Sequence, residues 1–219
     1  NVSRWHTKQS GRLNTRRLYF SCAFVILWCK HSEQVTLLSP EYLVLSLYDM
    51  LIIENVFPRP SEFDCKCSPL IGGYFFDELI KSIRESKEII RVVQYQWKWN
   101  IHERFSKVQI LGAEIAKART RNVNIRVILN QESPKRNLSK INSVSNDMLS
   151  RLGCEVRMIR TASILHTKLW VLDNKYTFVG SHNISGRSLT INEETSVKID
   201  SETYASFMTK YFDNLWNSR

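Results

Sequence analysis

Residues 165–183 read LHTKLWVLDNKYTFVGSHN, and the fold turns on this stretch. LHTKLWVL (165–172) and YTFV (176–179) are two β-rich runs joined by Asp173-Asn174-Lys175, the pattern of a hairpin. Side chains alternate along a strand, so His166 and Lys168 project from one face, about 7 Å apart at their Cα atoms. Trp170 and Leu172 continue that face; Leu165, Thr167, Leu169 and Val171 take the other. The returning strand runs into Gly180-Ser181, with Asn183 just beyond. It therefore sets a glycine turn, a hydroxyl and a carboxamide beside the strand that carries His166. With the Lys168 ammonium these groups suit a phosphate: Lys and Asn can hold two non-bridging oxygens while a neutral imidazole faces phosphorus. Singly they are ordinary, since Gly-Ser and Asn are common turn residues and a histidine at a strand start is usually a satisfied polar group.

Working outward, strands alternate with helices. Helical spacing runs over 75–86, a short β-rich run over 89–93, and helical spacing again over 105–119, with Val108, Ile110, Leu111 and Ile115 as the buried side. A strand is expected over 124–129, a helix over 146–152 stopped by Gly153, and a strand over 154–159. Another strand follows over 195–199, and Ser201 caps a last helix to about Trp216. This alternation argues for a layered α/β domain over residues 70–219, with its ligand site at strand ends. Residues 1–65 make a smaller segment of helical character and unassigned role. In it, Ser39-Pro40-Glu41 starts a helix through EYLVLSLYDMLII to Ile53, and the apolar run at 18–29 reads as a buried strand or short helix. Pro58, Pro60 and Pro69 mark a linker, which sets the boundary near 60–70.

Composition narrows the function classes. In 219 residues, 43% are hydrophobic and 24% charged, which excludes wholesale disorder, and 7 Gly with 5 Pro exclude collagen-like repeats. A net charge of +10 favours polyanionic partners, either nucleic acid or anionic headgroups. Five cysteines (Cys22, Cys29, Cys65, Cys67, Cys154) are too scattered for a disulfide framework, and the odd number points to a reducing, cytoplasmic setting, with secretion or membrane association left open. Cys65-Lys66-Cys67 offers two thiolates, but no matching ligand pair follows, so the two are read as half-buried loop side chains and no metal is assigned. No stretch reaches the ~18 apolar residues of a membrane span.

The spacing His166-x-Lys168, four residues, Asp173, six residues, Gly180-Ser181-x-Asn183 resembles the signature of the phospholipase D superfamily at all six specified positions. Six fixed offsets would match by chance in roughly one chain in 10⁵–10⁶ at average residue usage, so the joint pattern outweighs the ordinary reading of each residue. The resemblance covers about residues 70–219 and implies a mixed central sheet flanked by helices. It also implies a mechanism, in which His166 attacks a phosphodiester to form a phosphohistidine, a second histidine protonates the leaving oxygen, and water then frees the enzyme. Lys168 and Asn183 would bind phosphate oxygens with Ser181 assisting, while Asp173, at the hairpin tip, would be structural. By offset, Glu194 matches the family's acidic residue after the Gly-Ser loop and would orient the other ring nitrogen of His166. No cofactor or metal is implied.

One qualifying motif supplies one imidazole, and the chemistry needs two. His6-Thr7-Lys8 repeats the tripeptide, but Leu13 stands where Asp is required and no Gly-Ser-x-Asn follows. The expectation is a homodimer with one shared active site, its contact face around His166, Trp170 and the 180–185 loop, with aromatics near Trp97 contributing. Use of His182 or His102 as the acid within one chain is the alternative. For the substrate, Lys117, Arg119, Arg121, Arg126, Lys135, Arg136 and Lys140 stand against Glu132 over 117–140, a density of positive charge that favours nucleic acid. QYQWKW (94–99) interleaves aromatics with a cation and suits base stacking, with an aromatic core rim as its structural alternative. Together these readings lead to a metal-independent phosphodiesterase, an endonuclease cutting DNA or RNA. The alternatives are a lipid hydrolase acting on a cardiolipin-like substrate and a non-catalytic nucleic-acid-binding module.

Overall fold

The computed structural model describes residues 18–21, 24–27, 36–38, 62–100, 102, 105–132, 137–161 and 164–218. The chain divides into two units, Asn1–Ser61 and Glu62–Arg219. In the first, β1 (Leu18–Ser21), β2 (Phe24–Leu27) and β3 (Thr36–Leu38) form an antiparallel sheet in that order. The apolar run at 18–29 thus holds strands. The helix expected over 41–53 lies outside the described residues.

The second unit runs β4 (Lys66–Ile71), α1 (Tyr74–Glu85), β5 (Ile89–Gln94), α2 (Lys107–Thr120), β6 (Asn124–Asn130), α3 (Asn137–Arg151), β7 (Glu155–Ile159), β8 (Lys168–Leu172), β9 (Tyr176–Gly180), β10 (Thr195–Asp200) and α4 (Glu202–Asn217). Its seven strands form one sheet in the order β4-β10-β9-β8-β5-β6-β7. β5, β6 and β7 are parallel; every other neighbouring pair is antiparallel. This is the mixed sheet flanked by helices that the motif resemblance implies. One face packs Ile90, Val92, Val127, Leu129 and Trp170 against α1, α2 and α3 through Leu79, Ile83, Leu111 and Ile115. The other buries Val93, Ile128, Leu169 and Val171 under Ala205, Phe212 and Trp216 of α4. Ser201 caps α4 through its hydroxyl, as expected.

Three local readings change. The supposed linker at 66–71 is β4, which pairs only with β10 at the sheet edge, where Pro69 removes a donor that no neighbour needs. Ile110 on α2 is 42% exposed, while Val108, Leu111 and Ile115 are buried. α3 begins at Asn137 rather than near 146, because its buried face (Leu138, Asn142, Ser145, Leu149) carries two polar residues that hide the apolar period.

Asp173 sits at the β8–β9 turn with φ +50°, and its carboxylate reaches across to the start of β5. It accepts hydrogen bonds from Ser86 Oγ (2.8 Å) and from the N–H groups of Lys87 (2.8 Å), Glu88 (2.9 Å) and Ile89 (3.0 Å). Burial pushes this carboxyl up, but those four bonds outweigh it and hold the pKa below the ordinary aspartate value. The stabilisation is therefore complete above about pH 4 and lost as pH falls through the lower folded-state value. We expect Asp173→Ala to destabilise the domain by about 1–3 kcal/mol in urea unfolding at neutral pH, with the deficit shrinking below pH 4.

Candidate active site

His166 lies just before β8, on backbone fixed from both sides. Leu165 N donates to Asn130 Oδ1 (3.2 Å), Tyr95 N donates to Thr167 O (3.0 Å), and the Thr167 and Tyr211 hydroxyls share a bond (2.9 Å). The imidazole is exposed and meets the Tyr95 ring at 4.5 Å. Lys168 opens β8 and is only 8% exposed. Its Nζ donates to His166 O (2.8 Å) and lies 3.1 Å from each ring nitrogen of His166, with the Tyr95 ring face 5.0 Å away. Partial burial and then the Lys168 charge lower the His166 pKa, so the ring is neutral at physiological pH. Burial lowers the Lys168 pKa in turn, and Glu194 opposes that shift. A neutral imidazole beside a fixed ammonium is an arrangement that can attack an electrophile while the ammonium holds an anion.

β9 completes the site. Leu169 pairs with Val179, so β9 delivers Gly180 beside Lys168. A side chain at Gly180 would place Cβ 2.2 Å from Ser196 Oγ and 2.5 Å from Thr195 O, and only glycine fits. Ser181 Oγ donates to Glu194 Oε2 (2.5 Å) and accepts from Thr195 N (3.1 Å). Asn183 is half-buried, and its carboxamide oxygen is buried with no hydrogen-bond partner. A 180° turn of that amide presents its N–H2 to the same spot, ready for a phosphate oxygen.

The structure brings His166, Lys168, Gly180, Ser181, Asn183 and Glu194 into one region, with Asp173 at the far end of the hairpin. Glu194 differs from its expected part. Its carboxylate accepts from Ser181, Ser188 (2.7 Å) and Asn192 (3.3 Å) and makes no bond to His166 within the chain. It shapes the 181–194 loop and supports the charge on Lys168. His182 is a core residue, 1% exposed and stacked on Phe75. Its Nε2 faces Gly72 O (3.2 Å) and so carries the proton, leaving Nδ1 to accept from Ser196 Oγ (2.7 Å). With both nitrogens engaged it is no general acid. His102 is exposed, its N–H bonded to Asn100.

The 117–121 part of the basic run does not converge on the site. Lys117 pairs with Glu114 (3.0 Å), Arg119 donates to Val123 O (2.6 Å), and Arg121 donates to Ile83 O (2.8 Å). Arg121 also reaches Ser86, whose hydroxyl binds Asp173, so these cations sit at the end of the sheet opposite Lys168. Lys140 is exposed on α3; Lys135 and Arg136 lie outside the described residues. Trp97 and Trp99 are 0% and 8% exposed, which removes both from base stacking. Trp97 packs on Trp170 at 5.7 Å and both are buried, so neither lines a contact face between subunits. Cys65 and Cys67 are exposed at the start of β4 rather than half-buried in a loop, their sulfurs 3.4 Å apart. Among the described residues no three His, Cys, Asp or Glu side chains converge to hold a metal, and no helix is long and apolar enough to cross a membrane.

Four polar residues at the site end escaped sequence reading. Asn142 accepts from Trp97 N (2.9 Å) and donates to Tyr95 O and Asn130 O, while Ser145 bonds Trp97 O and Trp99 N. They pin the 95–99 segment that backs His166. Gln94, the register partner of Lys168, is fully buried, with neither carboxamide atom paired. Asn130 ends the neighbouring strand. The available signal was a carboxamide closing each of the apolar strands IIRVVQ and NIRVILN, where ligands of open α/β sheets bind.

A family model described as "Cardiolipin synthase, PLD-like domain" matches residues 79–216. The chain belongs to the phospholipase D superfamily. Among curated proteins it is 28% identical over 177 residues to the 5'-3' exonuclease PLD3 of Xenopus laevis, covering 76% of this chain and 34% of that protein. It is 32% identical over 113 residues to the virion nicking-joining enzyme of Vaccinia virus (strain Copenhagen), covering 49% of this chain and 25% of that one. The chain thus spans about a third of the first relative's length. The phospholipase D family member Nuc from Salmonella typhimurium superposes with a TM-score of 0.57 at 20% identity, over 69% of this chain and 95% of that one. NucT from Helicobacter pylori gives 0.57 at 18% identity, over 71% and 98%. Both show the same fold.

Gly180 gives the local test. Gly180→Ala drives a methyl into Ser196 and Thr195, so we expect about 1–3 kcal/mol lost in urea unfolding and a displaced Asn183 loop.

Proposed function

We propose that this chain is a metal-independent phosphodiesterase that cuts nucleic acid, DNA or RNA, as an endonuclease through a phosphohistidine. The observation that carries this reading is the neutral His166 imidazole held 3.1 Å from a buried ammonium, beside the unpaired carboxamide of Asn183. A ring nitrogen of His166 attacks phosphorus, and a P–N bond replaces the P–O bond to the leaving group. Lys168 and Asn183 hold the non-bridging oxygens where charge builds, and Ser181 assists. A second imidazole gives its proton to the departing oxygen, then takes one from the water that releases His166. That imidazole comes from a second copy of this domain, since His182 is bound at both nitrogens, and a homodimer with a shared site is the simplest arrangement. The nucleic-acid substrate is supported by the relatives named as an exonuclease and a nicking-joining enzyme. The cardiolipin synthase description of the family model favours a second reading, a lipid phosphodiester, and the assay needs an arm for it.

The deciding assay incubates the protein in EDTA with plasmid, single-stranded DNA, RNA and cardiolipin vesicles. The expected outcome is nucleic-acid cleavage, lost by roughly 10³-fold or more in His166→Ala while the fold persists. Cardiolipin turnover without cleavage of any nucleic acid hands the site to lipids, and strict dependence on added magnesium ends the metal-independent reading. Light scattering should give about twice 25.7 kDa.

The pH profile tests His166 itself. Its neutral form attacks, and burial with the Lys168 charge sets its pKa below the ordinary histidine value. We expect the acid limb of kcat/KM to turn below about pH 6.5, matched by the His166 ring titration in NMR. Lys168→Met removes the nearby charge and should move that titration upward; an unmoved titration would remove Lys168 from this role.

A further inference from the structure

Beside the site lies a recess of about 240 Å³ walled by Gln96, Lys98, Asn100, Ile141, Ser185 and Arg187. It forms where two site-bearing segments meet. Ile184 N donates to Gln96 O (3.0 Å) and Lys98 N to Ile184 O (2.7 Å), so the recess adjoins Asn183 on one wall and Tyr95 on the other. Its lining is two cations, two carboxamides and a hydroxyl, with Ile141 as the single aliphatic side chain among these walls. Lys98 and Arg187 are exposed and, among the described residues, neither has a carboxylate partner. Arg84, Lys117, Arg126 and Lys198 are ion-paired instead.

The volume equals about eight waters, room for a phosphate and its sugar. A single phosphodiester at His166 would leave both cations unused, whereas in a polynucleotide each phosphate is followed by another. We propose that this recess binds the nucleotide next to the scissile phosphate, with Lys98 and Arg187 on its phosphate and the Gln96 and Asn100 carboxamides presented to its sugar and base. The assignment rests on the nuclease reading above and adds a subsite to it.

The test uses the full chain with His166→Ala, which leaves bound strand uncut, and follows a short fluorescein-labelled single-stranded oligonucleotide by anisotropy. Adding Lys98→Ala and Arg187→Ala should weaken binding about tenfold or more and lower the log–log salt slope by about one to two phosphates. Lys87→Ala with Lys175→Ala removes the same charge at the opposite, Asp173 end and should cost no more than about twofold. Lys98→Gln with Arg187→Gln, which keeps the stems, guards against a folding defect and should reproduce the loss. A loss no larger than the control pair's overturns the subsite. If the wild type cuts no nucleic acid while binding still depends on Lys98 and Arg187, the nuclease reading falls and the recess stands. If it cuts and the double variant binds like its parent, the recess alone falls.

Discussion

The carboxylate of Asp173 accepts four hydrogen bonds across the sheet, and through them it locks the β8–β9 turn to the start of β5. Asp173 N also donates to Ile89 O (2.8 Å), so the two segments are clamped in both directions. Register between antiparallel strands propagates rigidly, since a one-residue slip turns every side chain to the other face. The clamp at one end therefore decides what meets at the other: Lys168 opposite Gln94, and Thr167 O on Tyr95 N. His166 takes its place against Tyr95 as a consequence. A motif residue far from the chemistry thus sets its geometry.

At the site end regular strands stop, and backbone groups need other partners. α3 supplies them. Asn142 and Ser145 together engage Tyr95, Trp97, Trp99 and Asn130 backbone groups, which holds an irregular segment as firmly as a strand would. On the other side Glu194 gathers Ser181, Ser188 and Asn192, and His182 bridges Ser196 to Gly72. Both walls of the pocket are fixed by satisfied polar groups. The Asn183 carboxamide oxygen is buried without a partner, and the recess cations have no carboxylate partner among the described residues.

The net charge of +10 is a poor map of function. In the 117–126 stretch it is largely consumed by structure: Lys117 and Arg126 in ion pairs, Arg119 and Arg121 on carbonyl oxygens that strand and helix ends leave open. Lys98 and Arg187, which have no carboxylate partner among the described residues, lie far apart in sequence, and only Lys98 stood out there, as the cation of QYQWKW. Proximity to a carboxylate is a property of the fold, and charge counting along the chain does not see it.

What the sequence alone determined was the local chemistry. The period of two over 165–172 placed His166 and Lys168 together, the Asp173 turn closed the hairpin, and the strand–helix alternation set the α/β class and most element bounds. These depend on neighbours within a few residues, where side-chain alternation and turn chemistry act. Tertiary structure alone decided the rest: that QYQWKW buries its two tryptophans, that Pro69 lies on an edge strand, that His182 is core, and that Glu194 bonds its own loop and not the His166 of the same chain. Each depends on which segment packs opposite, often more than a hundred residues away, as Gly72 is from His182. Burial and hydrogen-bond partnership belong to pairs of residues, and a linear pattern specifies only one member of each pair.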